Sequence, residues 1–254
     1  MIAHGPVDLR GRPARLACER KVHESPGVPA MNTSTAFLFD LDGTLVDSVY
    51  QHVLAWREAL AHEGIELSTW RIHRRIGMSG GLLTNLLLRE TGLAIEPERI
   101  ERLQRWHSEA YKRHIDEVRA LPGAAELLTF LTQAQIPWAV ATSGRMETAS
   151  LALAKVGVDL GNVPIVTRDQ VRYAKPDPDL FVAAADRLSI DVAAAFVVGD
   201  SVWDMLAAQR ARALGIGLLS GGYGLDELER AGAYRVFDDP AQLLRHIDEL
   251  GARR

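Results

Sequence analysis

Ala36-Phe37-Leu38-Phe39-Asp40-Leu41-Asp42-Gly43-Thr44 decides the reading of this chain. Four apolar residues in a row, without alternation, suit a strand buried on both faces of a parallel sheet. The run ends in two carboxylates one residue apart. Strand periodicity puts Asp40 and Asp42 on the same side, and Gly43 permits the turn that follows. Similar short runs recur at 138–141, 163–166, 195–198, 216–219 and 234–237. Helical stripes separate them: Leu127, Leu128 and Leu131; Leu180, Phe181, Ala184 and Leu188; Leu243, Leu244 and Ile247. Strands alternating with helices imply right-handed crossovers and a doubly wound, mostly parallel α/β sheet.

One interval breaks the alternation. Between Ser48 and Arg119 no strand run occurs. Val49, Val53, Trp56 and Leu60 repeat at helical spacing, as do Leu82, Leu83, Leu86 and Leu87. A third, longer helix runs from Ile100 to Ile115. The spacing predicts an all-helical insert over residues 48–119, with the α/β core formed by 34–47 and 120–254. Both junctions are candidate hinges. Residues 1–33 are broken by Pro and Gly and read as a disordered or loosely attached arm, with Met31 as a candidate true start.

Composition narrows the function. The chain has 254 residues, 47% apolar and 24% charged, with a formal net charge of −4. That is the balance of a soluble globular protein with a sizeable core. A mildly acidic chain argues against nucleic acid as the main partner. Cys18 is the sole cysteine, so no internal disulfide and no cysteine zinc cage can form, which fits a reducing cytoplasm. The apolar runs are too short to span a bilayer. Either a monomer or a homodimer is compatible with the patterning.

In open α/β sheets ligands bind beyond the carboxyl ends of the strands. There the first strand delivers Asp40 and Asp42, the second Thr142, Ser143 and Gly144, and the fourth Asp200, Ser201 and Asp204. Lys175 stands just before a helix, in Ala174-Lys175-Pro176. Two like charges about 4 Å apart repel by roughly 4 kcal/mol at an effective dielectric near 20. Four carboxylates at one edge therefore call for a cation. Oxygen ligands without His or Cys suit Mg²⁺ before Zn²⁺. Hydroxyls and backbone N–H groups at a helix start suit an anion, and Lys175 adds positive charge. Together these describe phosphoryl transfer through an aspartyl-phosphate.

Asp40-Leu41-Asp42-Gly43-Thr44-Leu45-Val46-Asp47-Ser48 resembles the first motif of the haloacid dehalogenase-like superfamily. Thr142-Ser143, Lys175-Pro176 and Gly199-Asp200-Ser201-Val202-Trp203-Asp204 match its second, third and fourth motifs in order. The insert resembles the cap of its phosphoglycolate phosphatase and β-phosphoglucomutase branch. The resemblance covers residues 34 to about 250 and implies a Mg²⁺-dependent phosphatase acting on a small phosphorylated metabolite. It makes Asp40 the nucleophile, Asp42 the general acid and then base, and Asp40, Asp42, Asp200 and Asp204 the metal-site residues. Gly43, Thr142, Ser143, Lys175 and His52 are the candidate substrate and phosphate contacts, with Lys175 also neutralising Asp40.

His52, four residues after Ser48, falls where some relatives place a histidine near the acid/base aspartate; a solvated helix histidine is the plainer reading. The basic segment 71–81, which ends in a flexible turn, is either a source of cations for the substrate as the cap closes or a solvated helix face. Met78 and Ser79 fall where relatives place specificity residues, and Trp56 and Trp106 read as core of the insert. Three rival functions share the motifs. A sugar phosphomutase of the β-phosphoglucomutase type fits His52 but lacks the expected arginine near Gly80-Gly81-Leu82. A 2-haloacid dehalogenase is opposed by Asp42. A non-catalytic binding protein is opposed by the complete motif set.

Overall fold

The structure is a computed structural model, and it describes residues 35–94, 96–157 and 161–252. The expected N-terminal arm lies outside the described residues. The chain begins with β1 (Ala36–Phe39) and β2 (Val46–Asp47), then runs through four helices. These are α1 (Val49–His62), α2 (Thr69–His73), α3 (Gly80–Thr91) and α4 (Pro97–His114). It returns through β3 (Arg119–Ala120), α5 (Ala124–Gln133), β4 (Trp138–Ala141), α6 (Met146–Val156) and β5 (Ile165–Val166). Then come α7 (Asp179–Leu188), β6 (Ala195–Gly199), α8 (Val202–Ala211) and β7 (Leu214–Leu218). The last elements are α9 (Leu225–Arg230), β8 (Ala233–Phe237) and α10 (Pro240–Arg245).

Six strands form one parallel sheet in the order β5-β4-β1-β6-β7-β8. All four β1 residues are buried. Phe37 and Phe39 feed one face, with Leu127 and Leu131 of α5, Leu153 of α6 and Leu243 of α10. Ala36 and Leu38 feed the other, with Leu180 and Phe181 of α7 and Ala207 of α8. Burial of each large apolar side chain contributes about 1.5–3 kcal/mol, so a run without alternation is what a sheet covered on both faces selects. The doubly wound fold expected from the sequence is the one observed.

The three central strands end in step. Phe39 pairs with both Val140 and Val198, so Asp40, Thr142 and Asp200 leave the sheet on one edge. The helical interval also has its own apolar cluster, built from Val53, Trp56 and Leu60 of α1, Leu83 and Leu87 of α3 and Leu103 of α4. Its entry and exit lie side by side, because β2 and β3 pair antiparallel through Val46–Ala120 and Asp47–Arg119. No helix among the described residues is long and apolar enough to cross a membrane.

Candidate active site

Asp40 follows the last residue of β1, and its N–H donates to the Val198 carbonyl at 2.9 Å. That bond holds it against β6, whose end carries Asp200. Asp40 and Asp200 are each 3% exposed, and Asp204 and Lys175 are completely buried. One carboxylate oxygen from each of Asp40, Asp200 and Asp204 lies within 4.8 Å of the others. Lys175 Nζ sits between two of them, in contact with Asp40 Oδ1 and 2.7 Å from Asp204 Oδ1.

Three buried carboxylates thus face one ammonium. Burial, offset in part by Lys175, pushes the Asp40 carboxyl up to about 7. Burial and the neighbouring Asp204 and Asp40 push Asp200 well above the ordinary carboxylate range. Without a further cation the site must hold protons to stay neutral, and a divalent ion would supply the missing charge. The donor set is hard oxygen throughout, which fits such an ion. Asp200 is also built into a cradle. A Cβ on Gly43 would lie 2.5 Å from Asp200 Oδ2, and a Cβ on Gly221 only 1.7 Å from it. Thr44 Oγ1 donates to Asp200 Oδ1 at 3.1 Å. Gly43, expected as a phosphate contact, therefore lies against Asp200, and its φ of +84° is one that side-chain-bearing residues rarely adopt.

Asp204 serves two neighbours at once. Its Oδ2 accepts from the Ser201 N–H at 3.1 Å and from Ser201 Oγ at 2.5 Å, closing the N-terminus of α8. Its Oδ1 holds Lys175. The capping motif and the charge cluster are thus one structure.

Beyond β4, Thr142 is buried, and its N–H donates to the Val166 carbonyl at 2.9 Å. Gly144 N–H donates to Thr142 Oγ1 at 2.9 Å, leaving the hydroxyl proton free to donate outward. Ser143 Oγ is buried without a hydrogen-bond partner and lines the same cavity. Neither residue caps a helix, because α6 starts later and Met146 N–H donates instead to Asp169 Oδ2 at 3.0 Å.

Asp42 lies under the helical insert. Ser48 Oγ donates to its Oδ1 at 2.6 Å, and His52 Nε2 lies 3.1 Å from the same oxygen. Ser48 and His52 are four residues apart, so α1 presents both on one face. Burial pushes the Asp42 carboxyl up, but the His52 charge and the bonds from His52 and Ser48 outweigh it and hold the carboxyl below its ordinary range. Oδ2 remains on the other side, 3.9 Å from where a Gly144 Cβ would stand. The plainer reading of His52 as a solvated side chain fails, since it is 8% exposed.

The chain matches the family described as haloacid dehalogenase-like hydrolase over residues 35–212. It belongs to that family.

The relatives of this hydrolase fit the expected phosphoric monoester hydrolase. Hexitol phosphatase A of Escherichia coli (strain K12) is 34% identical over 177 residues, covering 65% of this chain and 74% of the relative. A phosphoglycolate phosphatase of Rhodospirillum rubrum is 30% identical over 214 residues, covering 82% and 88% of the two chains. Among solved structures, a hydrolase from Pseudomonas syringae is 55% identical with a TM-score of 0.83, covering 85% of this chain and 99% of that one.

The cavity of this haloacid dehalogenase-like hydrolase is walled by residues the motifs do not mark. Gln104 and His107 of α4, with Arg145 and Arg168 of the core, line it alongside Asp40 and Asp42. Met78 lines it as well, whereas Ser79 accepts from Leu82 N–H at the start of α3. Trp56 belongs to the insert's core and also reaches the cavity. Trp106 stacks on His62 at 4.1 Å, at the edge of that core. The arginines of the basic segment are engaged by acids and do not line the cavity: Arg71 and Arg75 pair with Glu90, and Arg74 pairs with Glu227. Gln104 and His107 carry no local signal beyond helical spacing, which does not say which face meets the sheet edge; Arg145 stands two residues after Ser143 and could have been read from that position.

Proposed function

We propose that this hydrolase is a Mg²⁺-dependent phosphatase that cleaves small phosphorylated metabolites through an aspartyl-phosphate on Asp40. The observation that carries the reading is the pairing of two differently held carboxylates at one sheet edge. Asp40 is buried beside a lysine and within reach of a cation site. Asp42 is held by its Oδ1 alone, with Oδ2 on the other side. The first arrangement suits a nucleophile and the second a proton carrier.

Asp40, Asp200 and the main-chain carbonyl of Asp42 would hold the Mg²⁺ ion, with Asp204 supporting them through Lys175. When bound, the ion neutralises negative charge on the transferring group. Thr142 Oγ1, Ser143 Oγ and Lys175 Nζ orient the phosphoryl oxygens. Asp40 attacks phosphorus, and Asp42, which takes up a proton on Oδ2 before this step, passes it to the leaving oxygen as that oxygen's bond to phosphorus breaks. Asp42, now a carboxylate, takes a proton from water as that water attacks the aspartyl-phosphate. The products are inorganic phosphate and free Asp40. Residues 48–119 act as a cap that excludes bulk water and shapes the organic half of the site.

A panel of 2-phosphoglycolate, hexitol 6-phosphates, hexose phosphates and p-nitrophenyl phosphate, assayed for free phosphate with Mg²⁺, tests the reading. Turnover should vanish on chelation. Asp40→Asn should lower it by about 10⁴-fold or more and abolish acid-stable labelling by substrate phosphate. A folded Asp40→Asn protein with normal turnover would refute the assignment. The His52–Asp42 contact also fits a sugar phosphomutase; interconversion of sugar phosphates in place of phosphate release would select that reading.

A further inference from the structure

Four aromatic side chains form a ladder beside Asp42. α1 contributes His52 and Trp56, and α4 contributes His107 and Tyr111. Each pair is four residues apart and so occupies one helix face. His107 lies flat on Trp56, with centroids 4.2 Å apart and planes at 19°. His52 lies flat on Tyr111, at 4.0 Å and 3°. Stacking fixes the ring planes and hydrogen bonds fix their edges. His52 Nδ1 is 3.1 Å from His107 Nε2, and His52 Nε2 is 3.1 Å from Asp42 Oδ1. A continuous line Asp42–His52–His107 runs from the sheet edge to the cavity wall.

The chemistry of the line is constrained. Asp42 Oδ1 accepts whether the group is a carboxylate or carries a proton on Oδ2, and it already takes the Ser48 hydroxyl, so His52 Nε2 carries a hydrogen. If His52 is neutral, its Nδ1 accepts from His107 Nε2–H. If His52 is charged, its Nδ1–H donates to His107 Nε2. Either order uses the same two nitrogens. Burial, and after it the neighbouring His52, pushes His107 well below the ordinary histidine value. The ring is therefore neutral, with one donor and one acceptor to offer. Stacking on Tyr111 would tolerate a flip of the His52 ring by a half-turn. The flip would put Cε1–H against Asp42 and Cδ2–H against His107, losing both bonds. His107 thus supplies half of the preference for the orientation that grips Asp42 Oδ1.

We propose that His107 is a positioning residue for the proton transfer: through His52 it holds Asp42 Oδ1, and so keeps Oδ2 directed at the leaving oxygen. The proposal rests on the phosphatase reading and extends it to a residue outside the four motifs. As phosphorus passes from the leaving oxygen to Asp40, the Asp42 Oδ2 proton moves to that oxygen. An alkoxide leaving group needs that proton, whereas a nitrophenolate leaves nearly as well without it.

The test compares kcat/KM, which reports events up to the first phosphorus–oxygen cleavage, on two probes with Mg²⁺. One is p-nitrophenyl phosphate; the other is the alkyl phosphate of the panel that the wild type cleaves fastest. His107→Phe keeps a ring on Trp56 but removes the nitrogen. It should lower the alkyl value at least about tenfold more than the aryl value, with the loss in kcat rather than KM. His107→Gln, whose amide reaches the place of Nε2, should restore most of the difference. In a His52→Ala background, His107→Phe should add no further selective loss. Equal losses on both probes, a loss confined to KM, or additive effects in the double variant would overturn the proposal while leaving the phosphatase reading intact. Wild-type enzyme that cleaves no member of the panel would overturn both.

Discussion

Gly221→Ala tests the metal-site geometry without touching a charged group. A Cβ at this position would lie 1.7 Å from Asp200 Oδ2, 2.5 Å from its Cγ and 2.7 Å from its Cβ. The clash involves the whole side chain, so rotating the carboxylate tip does not relieve it. Asp200 has little room to retreat, because Gly43 also packs against Oδ2 and Thr44 Oγ1 is bonded to Oδ1. The carboxylate must therefore shift by more than about an ångström, whereas Mg²⁺ demands near-ideal geometry at about 2.0–2.1 Å. The expected result is a Mg²⁺ activation constant raised about 10–100-fold. A stability loss of about 1–3 kcal/mol from overpacking should accompany it. The assay is phosphate release titrated with Mg²⁺, with calorimetric Mg²⁺ binding as a readout independent of turnover. Gly224→Ala is the control, since its nearest neighbour would be Glu227 Oε2 at an ordinary 3.6 Å. A Gly221→Ala enzyme with the wild-type Mg²⁺ constant would refute the placement of Asp200 in a metal site.

Lys175→Met removes the cation between Asp40 and Asp204. In chelator it should cost about 3–5 kcal/mol of stability, and Mg²⁺ should raise its melting temperature more than it raises that of the wild type. Arg74→Ala removes a half-exposed pair with Glu227 and a guanidinium 4.2 Å from the Tyr223 ring, both joining the insert to the core. Stability should fall by less than about 2 kcal/mol, read by denaturant titration. Bonds to Glu58 and then Glu117 hold His114 above the ordinary histidine value. Its stabilisation is therefore fully present below the unfolded value of about 6.5 and is lost as pH rises through the folded value. His114→Gln should flatten the stability–pH curve there, by less than about 1 kcal/mol because the pair is at the surface.

The carboxylates of the proposed site were legible because they stand just after short apolar runs, and such runs are local. Edges were less so. The run at 163–166 forms a strand only at Ile165–Val166, although the Pro164 carbonyl still accepts from Val140 N–H at 3.0 Å. Proline has no N–H to extend the ladder. The run at 216–219 begins earlier, at exposed Leu214, and Leu219 turns into the tight 3₁₀ turn that carries Gly221 over Asp200. β2 and β3 have two residues each, too few for any periodicity to register. The fate of the basic segment depended on acids distant in sequence: Glu227 lies 153 positions from Arg74. His107 lay hidden for a related reason. Helical spacing groups it with Tyr111, but only the packing of α4 on α1 brings that face to His52.

The proposed chemistry therefore divides between two parts of the chain in a way that links closure to proton transfer. The side chains of Asp40, Asp200, Asp204 and Lys175 all come from core segments; the insert reaches them through backbone, where Ser79 N–H donates to the Lys175 carbonyl at 3.3 Å and His73 Nε2 lies 2.8 Å from the Gly221 carbonyl. Asp42 differs. It leaves β1 with the core, but both groups that grip its Oδ1 start or lie on α1, and the next contact lies on α4. An insert lifted from the sheet edge would leave Asp40 beside Lys175 while Asp42 lost its orientation. Phosphoryl transfer to Asp40 is then productive only when the insert is seated, the same state that keeps bulk water from competing with the substrate. Coupling of this kind needs no separate signal, because the residues that shield the site are the ones that aim its acid.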